Sequence, residues 1–413
     1  MLIVPRNSAD ADDSSLGSQR ALDWLNFFLA ALLAGFGPFV AVYLAERGWA
    51  PANVGFVFTA GGLAGLLTQV PAGELIDMAK SKRAIVGTGI GAIAVGLLIL
   101  GLRTDFPSVF LAAVVQGMAG SVLGPGVAAI SLGLVKQDEL AERLGRNQRF
   151  ASLGALTTAA IMGLTGYLFS IRDIFFASAA LLIPVLLALM RIRADDIHYG
   201  RSCGASDSHV KGALRASRIV LFKDHRLLVF AICVLLFQLA NASILPLLAE
   251  RLAQAEGQRS SLVVSVLVLV PQIVVAALAP WVGRVADSWG RRPLLILGLG
   301  AVPIRSALFS FATDPTVSVA IQALDGVSGA TLGVLTTLVI ADLTKGSGRF
   351  NLAQALVGTL SAVGASLSTS MSGLVVSRFG DMAGFLSVTS VGLIAVAILL
   401  LFMPETKPLA RVR

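Results

Sequence analysis

Long, uninterrupted apolar runs constrain this chain more than any other feature. Crossing a bilayer takes a helix of about 20 mostly apolar residues. Twelve such runs are present, at 21–44, 52–74, 84–102, 107–135, 147–170, 174–191, 227–248, 261–282, 293–312, 315–341, 350–376 and 383–403. Their continuity excludes an outer-membrane barrel, whose strands alternate apolar and polar residues. Charged residues make up only 14% of the 413 and hydrophobic ones 56%, whereas a water-soluble chain carries about 25% charged residues. A soluble enzyme, a disordered chain and a fibrous protein are excluded. The expected fold is an all-α membrane protein with twelve transmembrane helices.

Basic residues set the expected topology. With a cytoplasmic N-terminus, 25 of the 32 Lys and Arg fall on the cytoplasmic side and six fall outside, leaving Arg305 within a span. The net charge of +8 is therefore topogenic and implies no nucleic-acid partner. The chain reads as a cytoplasmic tail (1–20), a six-helix bundle (21–191), a cytoplasmic central loop (192–226), a second six-helix bundle (227–403) and a cytoplasmic tail (404–413). The opening residues are not a signal peptide, because their apolar part is short and acidic residues follow. The expected setting is a bacterial-type inner membrane, with lipid around the bundles.

The halves repeat one another. YLAER at 43–47 is echoed by LLAER at 247–251, QGMAGSVLG at 116–124 by DGVSGATLG at 325–333, and Thr104-Asp105 by Thr313-Asp314. Asn147, Ala151 and Gly154 recur as Asn351, Ala355 and Gly358. Six helices duplicated in parallel are a transporter architecture, with the binding site between the halves near the membrane midplane.

GRVADSWGRRP at 283–293 joins spans eight and nine, and GELIDMAKSKR at 73–83 joins spans two and three. Both segments resemble the Gly-x-Leu-Ala-Asp-Arg-x-Gly-Arg-Arg loop of the major facilitator superfamily, and the resemblance extends over the whole chain. In the second copy Ser288 replaces an Arg; in the first, Met78, Lys80 and Ser81 replace Arg, Gly and Arg. Gly73 and Gly283 let the chain approach a neighbouring helix. Asp77 and Asp287 suit the positive end of a helix dipole. The resemblance implies a fold of two pseudo-symmetric six-helix bundles. It also implies a gating network of Gly73, Asp77, Lys82, Arg83, Gly283, Asp287, Gly290, Arg291 and Arg292 that breaks when the halves rock. Asp77 would face the start of span eleven and Asp287 the start of span five, with the basic residues at the cytoplasmic surface. The plainer reading is topogenic charges at helix ends.

The resemblance also implies that spans one, four, seven and ten line the cavity. Asp325 lies deep in span ten, where an ionised carboxylate is expensive, so it is a candidate proton carrier or half of a structural ion pair. Its repeat mate is Gln116. Arg305 reads as an arginine snorkelling at the lipid edge, or as a partner for Asp325 or a substrate carboxylate. Gln238 and Asn241 in span seven and Asn26 in span one are further candidates, each also readable as a helix-packing contact. Asp23 reads as a helix cap. GFGP at 35–38 suggests a bend, and Phe27, Phe28, Phe36 and Phe39 an aromatic wall suited to an amphiphilic organic solute.

The rest of the sequence adds little chemistry. Cys203 and Cys233 give no disulfide framework, and His198, His209 and His225 fit no metal-ligand spacing. They read as inert thiols and solvated loop residues. Residues 212–226 read as a basic amphipathic surface helix. No phosphate-binding loop or zinc cluster appears, so no cofactor and no enzyme activity are expected. The expected function is proton-coupled export of a small organic or drug-like solute by a monomeric secondary transporter. Drug antiporters of the superfamily commonly carry Gly-Pro in span five, and here Gly124-Pro125 lies in span four instead. Uptake of a metabolite such as an organic anion is the alternative, and a non-transporting membrane sensor a remote one.

Overall fold

The computed structural model describes residues 8–34, 40, 43–44, 47–49, 51–168, 171–204, 224–248, 251, 260–312 and 314–407. The GFGP segment with Phe36 and Phe39, His209, and most of the expected amphipathic helix lie outside these residues. The described chain is all-helical. Its helices are α1 (Ser8–Ala34), α2 (Pro51–Met78), α3 (Lys82–Leu102), α4 (Phe106–Leu134), α5 (Leu140–Leu168), α6 (Ile171–Ala180), α7 (Leu182–Arg191), α8 (Tyr199–Ser202), α9 (His225–Asn241), α10 (Ser260–Trp289), α11 (Arg291–Phe311), α12 (Pro315–Leu343), α13 (Phe350–Phe379) and α14 (Asp381–Phe402). Among the described residues ten stretches are long and apolar enough to cross a membrane. α1 and α5 occupy the positions expected for spans one and five.

Two compact units result. Unit 1 contains Met1–Leu140, Phe150–Leu214 and Gly346–Leu352; unit 2 contains Ala141–Arg149, Arg215–Lys345 and Ala353–Arg413. The opening turns of α5 and α13 are thus exchanged relative to the sequence halves. Within unit 1, α2 and α3 pack along α4, α6 and α7 pack on α3, and α7 lies against α1. Within unit 2, α10 and α11 pack along α12, and α14 lies against both α9 and α11. The second unit repeats the first.

Small residues allow these approaches, as is usual where helices associate in lipid. A Cβ on Gly117 of α4 would lie 2.0 Å from the Gly61 oxygen of α2, and one on Gly326 of α12 would lie 2.4 Å from Val274 Cβ of α10. Gly154 of α5 meets Phe27 of α1, and Gly364 of α13 meets Leu235 of α9. The structural mate of Gly154 is therefore Gly364, at an offset of 210, and not the Gly358 suggested by sequence.

Three other expectations change. α1 begins at Ser8, inside the expected polar tail, and Ser18 ties it down. Its hydroxyl donates to Asp196 Oδ2 at 2.6 Å and accepts from the Arg193 amide at 3.1 Å. Asp23 is consequently a buried residue in mid-helix and does not stand at the helix start. Span six is broken at Leu181 into α6 and α7, because Pro184 has no amide to donate to the Ala180 carbonyl. The first part of the central loop, 192–204, is not solvated loop: it folds into a short 3-10 turn and α8, and Cys203 within it is buried.

Candidate functional site

Three of the expected site residues meet in unit 2. Arg305 of α11 is 2% exposed and ion-paired through Nη1 with Asp325 Oδ1 of α12, whose side chain is 28% exposed. Arg305 Nη2 donates to Asn241 Oδ1 at the end of α9, at 2.7 Å. Gln322, one turn before Asp325, makes a long 3.5 Å contact to Asp325 Oδ2 and leaves its own buried Oε1 without a hydrogen-bond partner among the described residues. The snorkelling reading of Arg305 is therefore corrected: the guanidinium points inward and joins three helices. A buried pair of this kind has low net worth as a stabiliser but is strongly disturbed when one charge is neutralised. Asn241 and Asp325 are the side-chain partners of the Arg305 guanidinium among the described residues.

The remaining candidates are engaged differently. Gln238 donates to Ser361 Oγ of α13 at 3.1 Å, a helix-packing contact. Asn26 donates to Leu22 O of its own helix at 2.8 Å. Gln116 is buried in unit 1 with its Oε1 turned toward Gly96 of α3. At the repeat offset of 209, Gln116 corresponds to Asp325 and Gly96 to Arg305. The same helix pair thus carries an ion pair in one half and an amide against a glycine in the other.

The two motif loops also differ. In unit 1, Asp77 is 4% exposed. Its Oδ1 accepts from the Asn351 side chain at 2.7 Å and the Asn351 amide at 3.2 Å, and its Oδ2 from the Leu352 amide at 3.0 Å. It caps the first turn of α13, where the helix dipole favours an anion. The central loop closes over this contact. Tyr199 Oη donates to the Asp77 carbonyl at 3.0 Å and Cys203 Sγ to the same carbonyl at 3.2 Å. The Phe350 amide donates to Cys203 O at 3.1 Å, and Asn351 Nδ2 to Ser202 O at 3.2 Å. Lys82 is 2% exposed rather than at the surface, and its ammonium contacts Ile76 O, Cys203 Sγ and the Tyr199 ring. Burial pushes both the Cys203 thiol and the Tyr199 phenol above their usual ranges. Gly73 is buried, and Arg83 donates to Met190 O at 3.2 Å.

In unit 2, Gly283 lies against Ala141 and Glu142 of α5, but Asp287 does not cap that helix. Its side chain is 39% exposed and pairs at 3.0 Å with Arg291 of its own loop. Arg291, only 3% exposed, also binds Asp342 Oδ2 at 2.9 Å. Glu405, just past α14, accepts from the Arg291 amide at 2.8 Å and the Arg292 amide at 3.0 Å, capping α11. Burial opposes the charge on Glu405, yet the amides of Arg291, Lys407, Arg292 and Thr406 hold its carboxyl below the usual range. Gly290, at φ +94°, leaves space that a Cβ would lose to Glu405.

Sequence reasoning missed Cys203, Tyr199, Asn351, Asp342 and Glu405. Only Asn351 carried a signal, as a repeated residue at a helix start. Cys203, Tyr199 and Glu405 act through segments that fold back on the bundle, and Asp342 lies on the inner end of α12, neither of which apolar periodicity reports. Among the described residues no group of three His, Cys, Asp or Glu is placed to hold a metal.

The sequence matches the Major Facilitator Superfamily over residues 23–250 and 227–413. An uncharacterized MFS-type transporter of Mycobacterium tuberculosis, Rv2456c, is 33% identical over 389 residues, covering 94% of this chain and 93% of the relative. Multidrug resistance protein MdtG of Dickeya zeae is 24% identical, covering 90% and 91%. Among solved structures, the E. coli fucose:proton symporter FucP superposes with a TM-score of 0.72 at 13% identity, covering 95% of this chain and 100% of that one. Nucleoside transporter NupG gives 0.62 at 16% identity, covering 93% and 98%. These relatives are transporters and not enzymes. The chain belongs to the Major Facilitator Superfamily and is a multi-pass membrane transporter.

Proposed function

We propose that this transporter works by alternating access as a proton-coupled exporter of a small organic or drug-like solute, with Asp325 as the proton carrier. It would sit in a bacterial inner membrane with both termini cytoplasmic. The observation that carries the reading is the Arg305–Asp325 pair, buried on one side and partly open on the other, with Asn241 as a second anchor for the guanidinium. A carboxylate whose counter-charge is buried, and which itself remains partly accessible, can take up a proton and release its partner. The sequence likeness to multidrug resistance protein MdtG supports export of an organic compound.

Uptake of an organic anion through Arg305 is the second reading, and it requires a substrate carboxylate to displace Asp325. Reconstituted vesicles test both. Under the export reading, Asp325→Asn abolishes transport driven by an imposed pH gradient while solute exchange continues. Unchanged pH-gradient drive in that variant overturns the assignment of Asp325. Accumulation in cells, lost on deletion, would favour uptake.

A further inference from the structure

A groove of about 500 Å³ lies between α1 and α7 in unit 1, lined by Arg20, Trp24, Phe28, Pro184, Leu187 and Arg191 together with small residues. Arg20 and Arg191 stand at its polar end. Both are exposed, and neither has a hydrogen-bond or ion-pair partner among the described residues. Its wall is apolar and open: Trp24 is 50% exposed and Leu187 55%. Trp24 is held in place by stacking on Phe28, with centroids 5.7 Å apart, and by edge contacts with Phe27 and Phe150. A related groove of about 390 Å³ recurs in unit 2, between the start of α9 and the end of α14, with Arg226 and Arg292 beside Leu401 and Phe402. These are the repeat-equivalent elements.

We infer that the α1–α7 groove is a binding site for an anionic phospholipid of the leaflet on the arginine-rich side of the membrane. The two guanidiniums take the phosphate, and the acyl chain lies along Trp24, Phe28, Pro184 and Leu187. Arginine is the side chain whose fork matches a phosphate, and basic pockets between spanning helices are suited to anionic headgroups. A soluble anion would use the two arginines but leave the aromatic and aliphatic wall unexplained. A neutral lipid would use the wall but leave two unpartnered cations. The arginines stand at the end of the spans, where an inner-leaflet headgroup sits, and the wall runs from them toward the bilayer interior. The inference rests on the spanning arrangement and not on the direction or coupling of transport, so either can fail alone.

Brominated lipids test it, because bromine on an acyl chain quenches only tryptophan in contact with it. The chain has four tryptophans, so Trp49→Phe, Trp281→Phe and Trp289→Phe leave Trp24 as the reporter. Titrated in detergent, dibrominated phosphatidylglycerol is expected to quench Trp24 at about tenfold lower concentration than dibrominated phosphatidylcholine, from the attraction of basic residues for an anionic headgroup. Arg20→Gln with Arg191→Gln should bring the two lipids to the same midpoint. Arg20→Lys with Arg191→Lys should keep most of the preference. Native mass spectrometry of the chain with all its tryptophans gives the second reading: the double Gln variant should carry one phosphatidylglycerol fewer. Equal quenching by the two lipids, an unchanged midpoint in the double Gln variant, or displacement of the lipid by millimolar inorganic phosphate would each overturn the site.

Discussion

Neutralising one member of the Arg305–Asp325 pair should destabilise the protein far more than neutralising both. Asp325→Asn leaves the Arg305 guanidinium, 2% exposed, with Asn241 as its remaining partner and with Nε already lacking one. Removing one partner of a buried ion pair costs about 3–5 kcal/mol. Arg305→Met strands the other charge, but Asp325 is 28% exposed and keeps some hydration, so the cost falls to about 1–3 kcal/mol. In the double variant neither charge remains, and methionine fills the space of the arginine stem. Replacing a buried pair by apolar groups is often neutral, so stability should return to within about 1 kcal/mol of the parent. The resulting coupling energy is about 3 kcal/mol or more, well beyond the roughly 0.5 kcal/mol expected of independent sites. Reversible unfolding in mixed micelles by increasing dodecyl sulfate, followed by circular dichroism, measures all four corners of the cycle. Additive single effects would refute the idea that the two charges depend on one another.

Gly117→Ala forces a methyl within 2.0 Å of the Gly61 oxygen and should cost at least about 2 kcal/mol by overpacking, whereas Gly120→Ala meets nothing within 4 Å and should be neutral or slightly stabilising in the same unfolding assay. Gly290→Ala should cost about 1–2 kcal/mol for the left-handed backbone alone, with the Glu405 carboxylate in the way besides. Glu405 titrates below its ordinary value of 4.5 when folded. Its cap on α11 is therefore fully present above about pH 4.5 and is lost as pH falls through the lower folded value. Amide exchange at Arg291 and Arg292 should accelerate on acidification in the parent. In Glu405→Gln that acid dependence should vanish, and a persistent acid step in this variant would refute the cap.

Fold class and repeat were legible because both are written in apolar run length and in short echoed segments. The DGVSGATLG echo placed Asp325 and Gln116 at equivalent points, and the structure keeps that equivalence. What escaped was the direction in which side chains point around a helix, together with loops that fold back on the bundle. Arg305 faces Asp325 because residues 305 and 325 lie on packed faces of α11 and α12, and no local pattern marks an inward arginine. Gln238 and Asn26 both read as candidates on cavity-lining spans, yet their amides serve Ser361 and Leu22. Cys203 looked like a loop thiol because only the folded central segment brings it to Asp77.

The first motif loop, degraded by comparison with the second, is nonetheless the one whose aspartate caps a distant helix, and the repeat register explains why. At an offset of 210, Asp287 matches Asp77, Arg291 matches Ser81, and the first residues of α5, Leu140, Ala141 and Glu142, match Phe350, Asn351 and Leu352 of α13. Arg291 takes the Asp287 carboxylate at 3.0 Å. Ala141 has no side-chain amide to compete for it, and Glu142 sets a like charge in the first turn. In the first copy Ser81 carries no charge and merely caps α3 through the Ala84 amide, so Asp77 is left to the Asn351 and Leu352 donors. Ser81→Arg should restore the competitor. An i, i+4 ion pair contributes only about 0.3–0.5 kcal/mol, against three charge-assisted hydrogen bonds of about 1.5–3 kcal/mol each. Asp77 should therefore stay docked, with protection of the Leu352 amide from exchange falling no more than about threefold. Asn351→Ala together with Ser81→Arg removes a donor as well and should lower that protection tenfold or more. A tenfold loss in Ser81→Arg alone would mean that the Asp77 contacts to α13 are far weaker than their geometry implies.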